Sequence, residues 1–256
     1  MFQVRFHGRG GHGMVTAAEL LPVAAASEGR HAQAFPSFGS DRTGAPAMSF
    51  CRIDDKPIRT YEPVTEPDAL IILDPALPRQ ADLFAGLGHD GYMLINAERS
   101  FGELGLEEFV KPFRRDRLLV VPASSLALTH LGRPLPGAAL LGGFAALTWV
   151  VSLNSVLAAI NERFTGPVAA GNEKAARAAF NFVRDEREAL THALSKSRVP
   201  AVAEAVAWNR SSDPHFAIAF IASPACTAMN VPRLPSPRLI SMWIRPAASG
   251  SITGQP

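Results

Sequence analysis

Residues 7–15 read HGRGGHGMV, and four glycines, two histidines and an arginine in so short a run make it the most chemically suggestive stretch of the chain. Gly8, Gly10 and Gly13 satisfy the spacing G-x-G-x-x-G, with Arg9, Gly11 and His12 between them. An apolar stretch of strand character, FQVRF, comes just before, and a run of helix formers, MVTAAELLPVAAASEG, comes just after. In such a strand-to-helix turn glycines let the backbone bend sharply and approach a ligand closely, and the helix start offers unpaired N–H groups to an anion. Arg9 could add a charged fork. The chemistry first expected is phosphate binding, as in a nicotinamide or flavin dinucleotide enzyme. That use makes a second demand, an Asp or Glu for the ribose about 20 residues further on. Residues 30–38 read RHAQAFPSF, with no acid before Asp41, so simple NAD binding loses ground. A lone glycine fingerprint is also what close helix–strand packing selects.

The remaining polar candidates have plainer readings beside the chemical ones. Asp54 and Asp55, followed by Lys56 and Pro57, read as a hairpin turn with solvated charges before they read as paired carboxylates for acid–base work. Asp74 ends an apolar run and precedes Pro75, which again favours a turn. Asn96 ends the YMLIN run and could hydrogen-bond a ligand, although most such asparagines cap loops. The two cysteines, Cys51 and Cys226, form no CxxC pattern. They cannot hold an iron–sulfur cluster, which takes about four thiolates, nor a disulfide framework. A reduced, cytoplasmic setting is the simplest reading.

The elements that must position these residues alternate. FQVRF leads into the glycine turn and a helix around Thr16 to Ser27; HAQAFPSF and AMSFCRID follow as extended stretches around the loop GSDRTGAP. Then come ALIILD, a helix-like stretch after Pro75, YMLIN, and LLVVPA. Several are near-continuous apolar runs, as strands covered on both faces require. The expected fold is α/β: a doubly wound, mostly parallel sheet with helices on both faces. Residues 140–160, LLGGFAALTWVVSLNSVLAAI, carry no charge and are long enough to cross a bilayer. Ser152 reads as an N-cap that splits the run, so two buried helices are expected instead. In a further helix over 172–196, Ala176, Ala179, Phe180, Val183, Leu190 and Leu194 share one face.

At 256 residues the chain can hold one large domain with appendages, and its 47% hydrophobic content suits a packed core. A formal net charge of +2 argues against a nucleic-acid coat. The opening residues read directly into a strand, without the basic segment and apolar run of a signal peptide, so none is expected. Residues 199–256 differ from the rest: eight of the 21 prolines lie there, and beyond Arg210 only Asp213, Arg233, Arg238 and Arg245 are charged. Proline at that density prevents a regular core, while Trp208, Phe216, Phe220, Trp243 and Ile244 are too apolar for a solvated tail. The expected organisation is an α/β domain over 1–198 and an extended, proline-rich C-terminal arm over 199–256 that packs on a partner subunit, the alternative being a loosely ordered extension without a role.

Several ordered motifs carry a family resemblance. FHGRGGHGMVTAAELL, AQAFPSFGSDRTGAP and FCRIDDKPIR, followed by PDALIILDP, GYMLIN, ALTHLGRP and LLGGFAALTWVVSLNSVLAAINERF, resemble the gamma subunit of 2-oxoacid:ferredoxin oxidoreductases over roughly the first 185 residues. His12 stands where that family usually has Gln, and SDRT (Ser40 to Thr43) replaces a more basic ERR stretch. The resemblance implies a complex that oxidatively decarboxylates a 2-oxoacid with coenzyme A, giving an acyl-CoA, carbon dioxide and two electrons. Thiamine diphosphate with Mg2+ and iron–sulfur clusters would sit on partner subunits, since this sequence has neither a GDG…NN signature nor a cysteine cluster. The implied partners are thiamine-binding alpha and beta subunits and a ferredoxin-like delta subunit, with ferredoxin or an NAD-linked flavin (FAD) subunit as acceptor.

No membrane or nucleic-acid partner is implied. What remains for this chain is to position coenzyme A. The residues expected to do so are Gly8, Arg9, Gly10, Gly11, His12 and Gly13 in the turn, Ser37, Gly39, Arg42 and Thr43 in the loop after the second strand, and Asn96. Arg42 would neutralise a phosphate or pair with an acid on a partner. No catalytic residue or metal ligand is expected. Two other readings stay open: an independent NAD(P)-binding oxidoreductase, and a scaffold whose glycine turn binds nothing.

Overall fold

The computed structural model describes residues 1–11, 13–37, 46–77 and 83–208, with side chains through residue 193. The elements in chain order are β1 (Phe2–Arg9), α1 (Met14–Ser27), β2 (His31–Ser37), β3 (Pro46–Asp54), β4 (Ala69–Ile72), β5 (Tyr92–Asn96), α2 (Glu107–Val110), β6 (Leu118–Val121), α3 (Ala123–Leu131), α4 (Gly137–Thr148), α5 (Leu153–Arg163) and α6 (Gly166–Trp208). The strands form a sheet in the order β2-β3-β1-β4-β5-β6. β1, β4, β5 and β6 run parallel, whereas β3 is antiparallel to both β1 and β2. The molecule is thus α/β with a mixed sheet whose central and right-hand part is parallel, as the apolar runs predict.

Alternation along the strands splits the core in two. Val4, Phe6, Cys51, Ile71, Leu94 and Val121 face the side covered by α1, α4, α5 and α6. Leu70, Ile72, Met93, Ile95 and Leu118 face the other side, under Leu77, Leu83, Phe101, Leu104 and Val110. That second cover is the short α2 and turn-rich chain; of the helix-like stretch expected after Pro75, residues 78–82 lie outside the described residues. The connection after β1 therefore goes to the first face, those after β4 and β5 go to the second, and that after β6 returns to the first. Connections diverge between β1 and β4, and a crevice opens at the carboxyl ends of strands where this happens.

The apolar run 140–160 becomes two helices, as expected. Ser152 caps α5, its Oγ accepting from Ser155 N at 3.1 Å. The Glu28 carboxylate holds the same cap from the end of α1, accepting from Ser152 N at 2.7 Å and Ser155 Oγ at 2.6 Å. Among the described residues no helix is long and apolar enough to cross a membrane. Gly142 lets α4 and α6 touch, since a Cβ there would lie 2.0 Å from the Ala176 carbonyl oxygen. Ala176, Ala179 and Val183 are buried on the predicted face of α6, with Phe180 and Leu190 packed at its edge. Leu194 has a side chain outside the described set.

The DDKP segment is not a hairpin. β3 pairs back with β2, so the hairpin connection is the 38–45 loop, and the chain after Asp54 instead crosses to β4. Asp54 still makes a turn, accepting from Lys56 N at 3.2 Å. The crossing segment lies over the second face of the antiparallel strands, held by side chains that reach its carbonyls. Gln33 donates to Thr60, Arg52 to Glu62 at 2.6 Å, Arg5 to Val64 at 3.3 Å and Gln3 to Glu66 at 3.3 Å. A polar row on a strand face is satisfied by backbone that has no ladder of its own.

The chain divides into two compact units, Met1–Val199 and Pro200–Pro256. The sheet and both cores belong to the first. In the second, residues 200–208 complete α6, so the start of the stretch read as an extended arm is helical. The alanine-rich AVAEAVAW run explains this. The rest of the arm lies outside the described residues.

Candidate functional site

The glycine turn joins β1 to α1 at the carboxyl edge of the sheet. Gly11 and Gly13 have φ of +91° and +76°, a left-handed region that L side chains rarely adopt, which is why glycine is required at both. Gly13 is the N-cap residue of α1, whose first turn has no side-chain cap and no acidic residue. Its first-turn N–H groups therefore sit at the positive end of the helix dipole with no side-chain partner among the described residues, the arrangement that receives an anion. Gly10 and Gly11 are exposed. Gly8 has a packing role, since a Cβ there would meet the Met14 side chain at 3.2 Å.

Arg9 is drawn to one side. Its Nε donates to the Asp74 carboxylate, an ion pair joining the ends of β1 and β4 across the crevice. Asp74 Oδ1 also accepts from Ala76 N at 2.9 Å, the turn expected before Pro75. Ser37 ends β2 in register with Met48 and, one strand further, His7. Because Arg9 pairs with Pro46 and Gly8 with Ala47, the loop from Ser37 to Pro46 ends beside the glycine turn. His12, Gly39, Arg42 and Thr43 lie outside the described residues. Asn96 is at the same edge, two strands from β1. Its Nδ2 donates to the Leu73 carbonyl at 2.7 Å and Ser124 Oγ at 2.9 Å, and its Oδ1 accepts from Ser124 N at 2.9 Å. The amide thus ties the end of β4 to the start of α3, the loop-capping role weighed from sequence.

Two residues that the sequence reading passed over stand next to the turn. Arg5 and His7 point from β1 to the second face and are only 6% and 4% exposed. Arg5 Nε donates to His7 Nε2 at 3.0 Å, while its Nη2 donates to the Leu83 and Ala85 carbonyls at 2.9 and 2.6 Å. Burial first, then the Arg5 charge, pushes the His7 pKa down to about 3. The imidazole is neutral, and because Nε2 accepts, its proton is on Nδ1. The signal in the sequence was the alternation Arg5–Phe6–His7 in a strand otherwise apolar enough to be central.

Two clefts flank this edge. One of about 390 Å³ lies beside the start of α1 and is lined by Gly13, Thr16, Leu20, Arg133, Phe164 and Asn172. Another of about 320 Å³ lies over the ends of β5 and β6, between Pro75, Asn96, Glu98, Arg99 and Ser124. Among the described residues no group of His, Cys, Asp and Glu is placed to hold a metal ion. Cys51 is buried, and desolvation pushes its thiol up, so it is inert at neutral pH.

Residues 3–182 match the model of the family described as pyruvate ferredoxin/flavodoxin oxidoreductase. The chain is 47% identical over 181 residues to the pyruvate/ketoisovalerate oxidoreductases common subunit gamma of Thermococcus kodakarensis, covering 71% of this chain and 96% of that relative. It is 42% identical over 180 residues to pyruvate synthase subunit PorC of Methanothermobacter marburgensis, covering 70% and 96%. The crystal structure of pyruvate oxidoreductase subunit PORC from Thermotoga maritima superposes with a TM-score of 0.60 at 32% identity, over 70% of this chain and 95% of that one. A family match across most of the chain, relatives matched nearly end to end and a common fold agree: the chain belongs to the pyruvate ferredoxin/flavodoxin oxidoreductase family, as a gamma subunit of a 2-oxoacid oxidoreductase.

Proposed function

We infer that this subunit positions coenzyme A in a complex that converts a 2-oxoacid and coenzyme A to an acyl-CoA, carbon dioxide and two electrons. The observation that carries this reading is the uncapped start of α1 behind the exposed Gly10 and Gly11, at the edge where the connections of β1 and β4 diverge. In this reading the N–H groups of Gly10, Gly11, Gly13 and the first turn of α1 bind the coenzyme's diphosphate. Arg9, oriented by Asp74, supplies positive charge at its side. Gly8 holds the turn against α1, and Ser37 together with His12, Gly39, Arg42 and Thr43, which lie outside the described residues, is assigned to coenzyme binding in this reading. Asn96 keeps the ends of β4 and β5 and the start of α3 in place.

Thiamine diphosphate with Mg2+ and the iron–sulfur clusters belong, in this reading, to alpha, beta and delta partner subunits, with ferredoxin or a flavin-linked NAD subunit accepting the electrons. When bound, thiamine diphosphate supplies the electron sink for decarboxylation. This chain's part is to bind the thiol substrate, orient it and exclude water. The 1–198 domain carries that role, and the 199–256 arm docks on a partner subunit. The competing NAD(P) reading lacks its ribose acid, and β3 separates β2 from β1, so the end of β2 is not the neighbour of the turn that dinucleotide binding uses.

The test is Gly11→Ala and Arg9→Ala in the assembled enzyme. Both are expected to raise the KM for coenzyme A several-fold with the KM for the 2-oxoacid unchanged. An unchanged coenzyme A KM in both variants favours a scaffold that binds nothing at the turn.

A further inference from the structure

We propose that His7 is a binding residue of the glycine-turn site, a donor of fixed tautomer whose Nδ1–H takes a phosphate oxygen of the coenzyme. The inference rests on the coenzyme-positioning reading above and adds a contact on the opposite face of β1 from α1. Three observations carry it. The first is the lock: Arg5 Nε–H occupies His7 Nε2 at 3.0 Å, and Arg5 is itself held by the carbonyls of Val64, Thr65, Leu83 and Ala85, so the imidazole can neither turn over nor change tautomer without breaking that set.

The second is the donor left over. His7 is 4% exposed, yet Nδ1 has no hydrogen-bond partner among the described residues. Among the described residues the side-chain atoms sealed from solvent without a partner are Ser49 Oγ and Arg52 Nη1, so the His7 Nδ1–H still reaches solvent and is left for a ligand oxygen. The third is access. His7 lies in one cross-strand row with Met48 and Ser37, on the same face, and Met48 is 38% exposed. The row therefore reaches solvent at Met48, at the edge of the sheet that carries the glycine turn. A ligand crossing the end of β1 would meet the α1 N–H groups on one side and His7 on the other.

The chemistry selects the acceptor. In the chain Arg5 Nε–H to His7 Nε2, then Nδ1–H to ligand, each bond polarises the next, so the terminal donor is strengthened toward an anionic oxygen. A titrating imidazolium would do this only at low pH. Here the cation is the arginine, and the histidine conveys its field without changing charge.

The experiment uses the assembled enzyme with His7→Leu, His7→Asn and, in parallel, Gly11→Ala. His7→Leu is expected to raise the KM for coenzyme A about tenfold, a loss equal to about 1.4 kcal/mol, with kcat and the 2-oxoacid KM unchanged. His7→Asn carries an N–H near the position of Nδ1 and is expected to keep the coenzyme A KM within about twofold of the parent. Pantetheine, which bears the same thiol without phosphates, is expected to be used equally by the parent and His7→Leu. An unmoved coenzyme A KM in His7→Leu overturns the proposal, as does an equal loss for pantetheine. If Gly11→Ala raises that KM and His7→Leu does not, only His7 is misassigned; if neither does, the glycine-turn reading falls as well. Should His7→Leu fail to assemble, His7→Asn decides: a tenfold rise in its coenzyme A KM, or a direct calorimetric affinity that falls with it, overturns the assignment.

Discussion

The side chains at the carboxyl edge are held by partners on neighbouring elements or along their own strand. Arg9 leans on Asp74, Asn96 on Leu73 and Ser124, and His7 on Arg5. The His7 pair has a thermodynamic consequence. Its folded pKa, about 3, lies below the 6.5 of an unfolded histidine, so the unfolded chain binds a proton that the native one refuses. The stability this contributes is whole above pH 6.5 and drains away as pH falls toward 3, with a slope of up to about 1.4 kcal/mol per pH unit. Thermal melts from pH 7 to pH 5 are expected to show a steeper fall for the parent than for His7→Asn. Equal slopes would mean that the histidine is not buried neutral.

At the scale of elements, the site depends on α1 starting at the right place and on α4, α5 and α6 pressing it against the sheet. α1 ends at Glu28, which caps α5 through Ser152 and Ser155, so the two helices fix each other's ends. The tightest approach is between α4 and α6 at Gly142, where the Ala176 carbonyl leaves no room for a methyl group. Gly142→Ala is expected to cost about 3 kcal/mol, the upper range for overpacking a tight core, read as a shift in denaturant midpoint without a change in slope. A midpoint within the error of the parent would mean that the helices part freely there. Ala176→Gly is not expected to rescue it, because the clash is with backbone.

At the scale of the molecule, the family match ends at residue 182, so much of α6 and everything after it lies beyond the part shared with the family model. Both cores are made by residues up to Val183, with Leu190 packed at the margin. A chain truncated before residue 199 is therefore expected to fold with its cores intact and to co-purify less well with the other subunits of its complex. Size-exclusion chromatography of the reconstituted complex measures this. Undiminished assembly would mean that residues 199–256 do not dock on the partners.

The sequence by itself determined the local features: the glycine turn from its spacing, α1 from its helix formers, the strands from their apolar runs, and the break at Ser152 from a capping residue within an apolar stretch. These depend on neighbours a few positions away, whose geometry is set by backbone sterics and capping. It also carried the family likeness, through several motifs in order. Only the tertiary structure decided that DDKP leads into a crossing segment and not a hairpin, that Arg9 pairs with Asp74, that Asn96 ties three elements together, and that His7 is locked by Arg5. The first three are contacts across strands or across connections of tens of residues, while the Arg5–His7 bond is local but is fixed by the distant carbonyls that hold Arg5. A polar side chain on a buried strand shows in sequence that a partner must exist, but which carbonyl or carboxylate satisfies it is fixed only when the sheet order brings that group within about 3 Å.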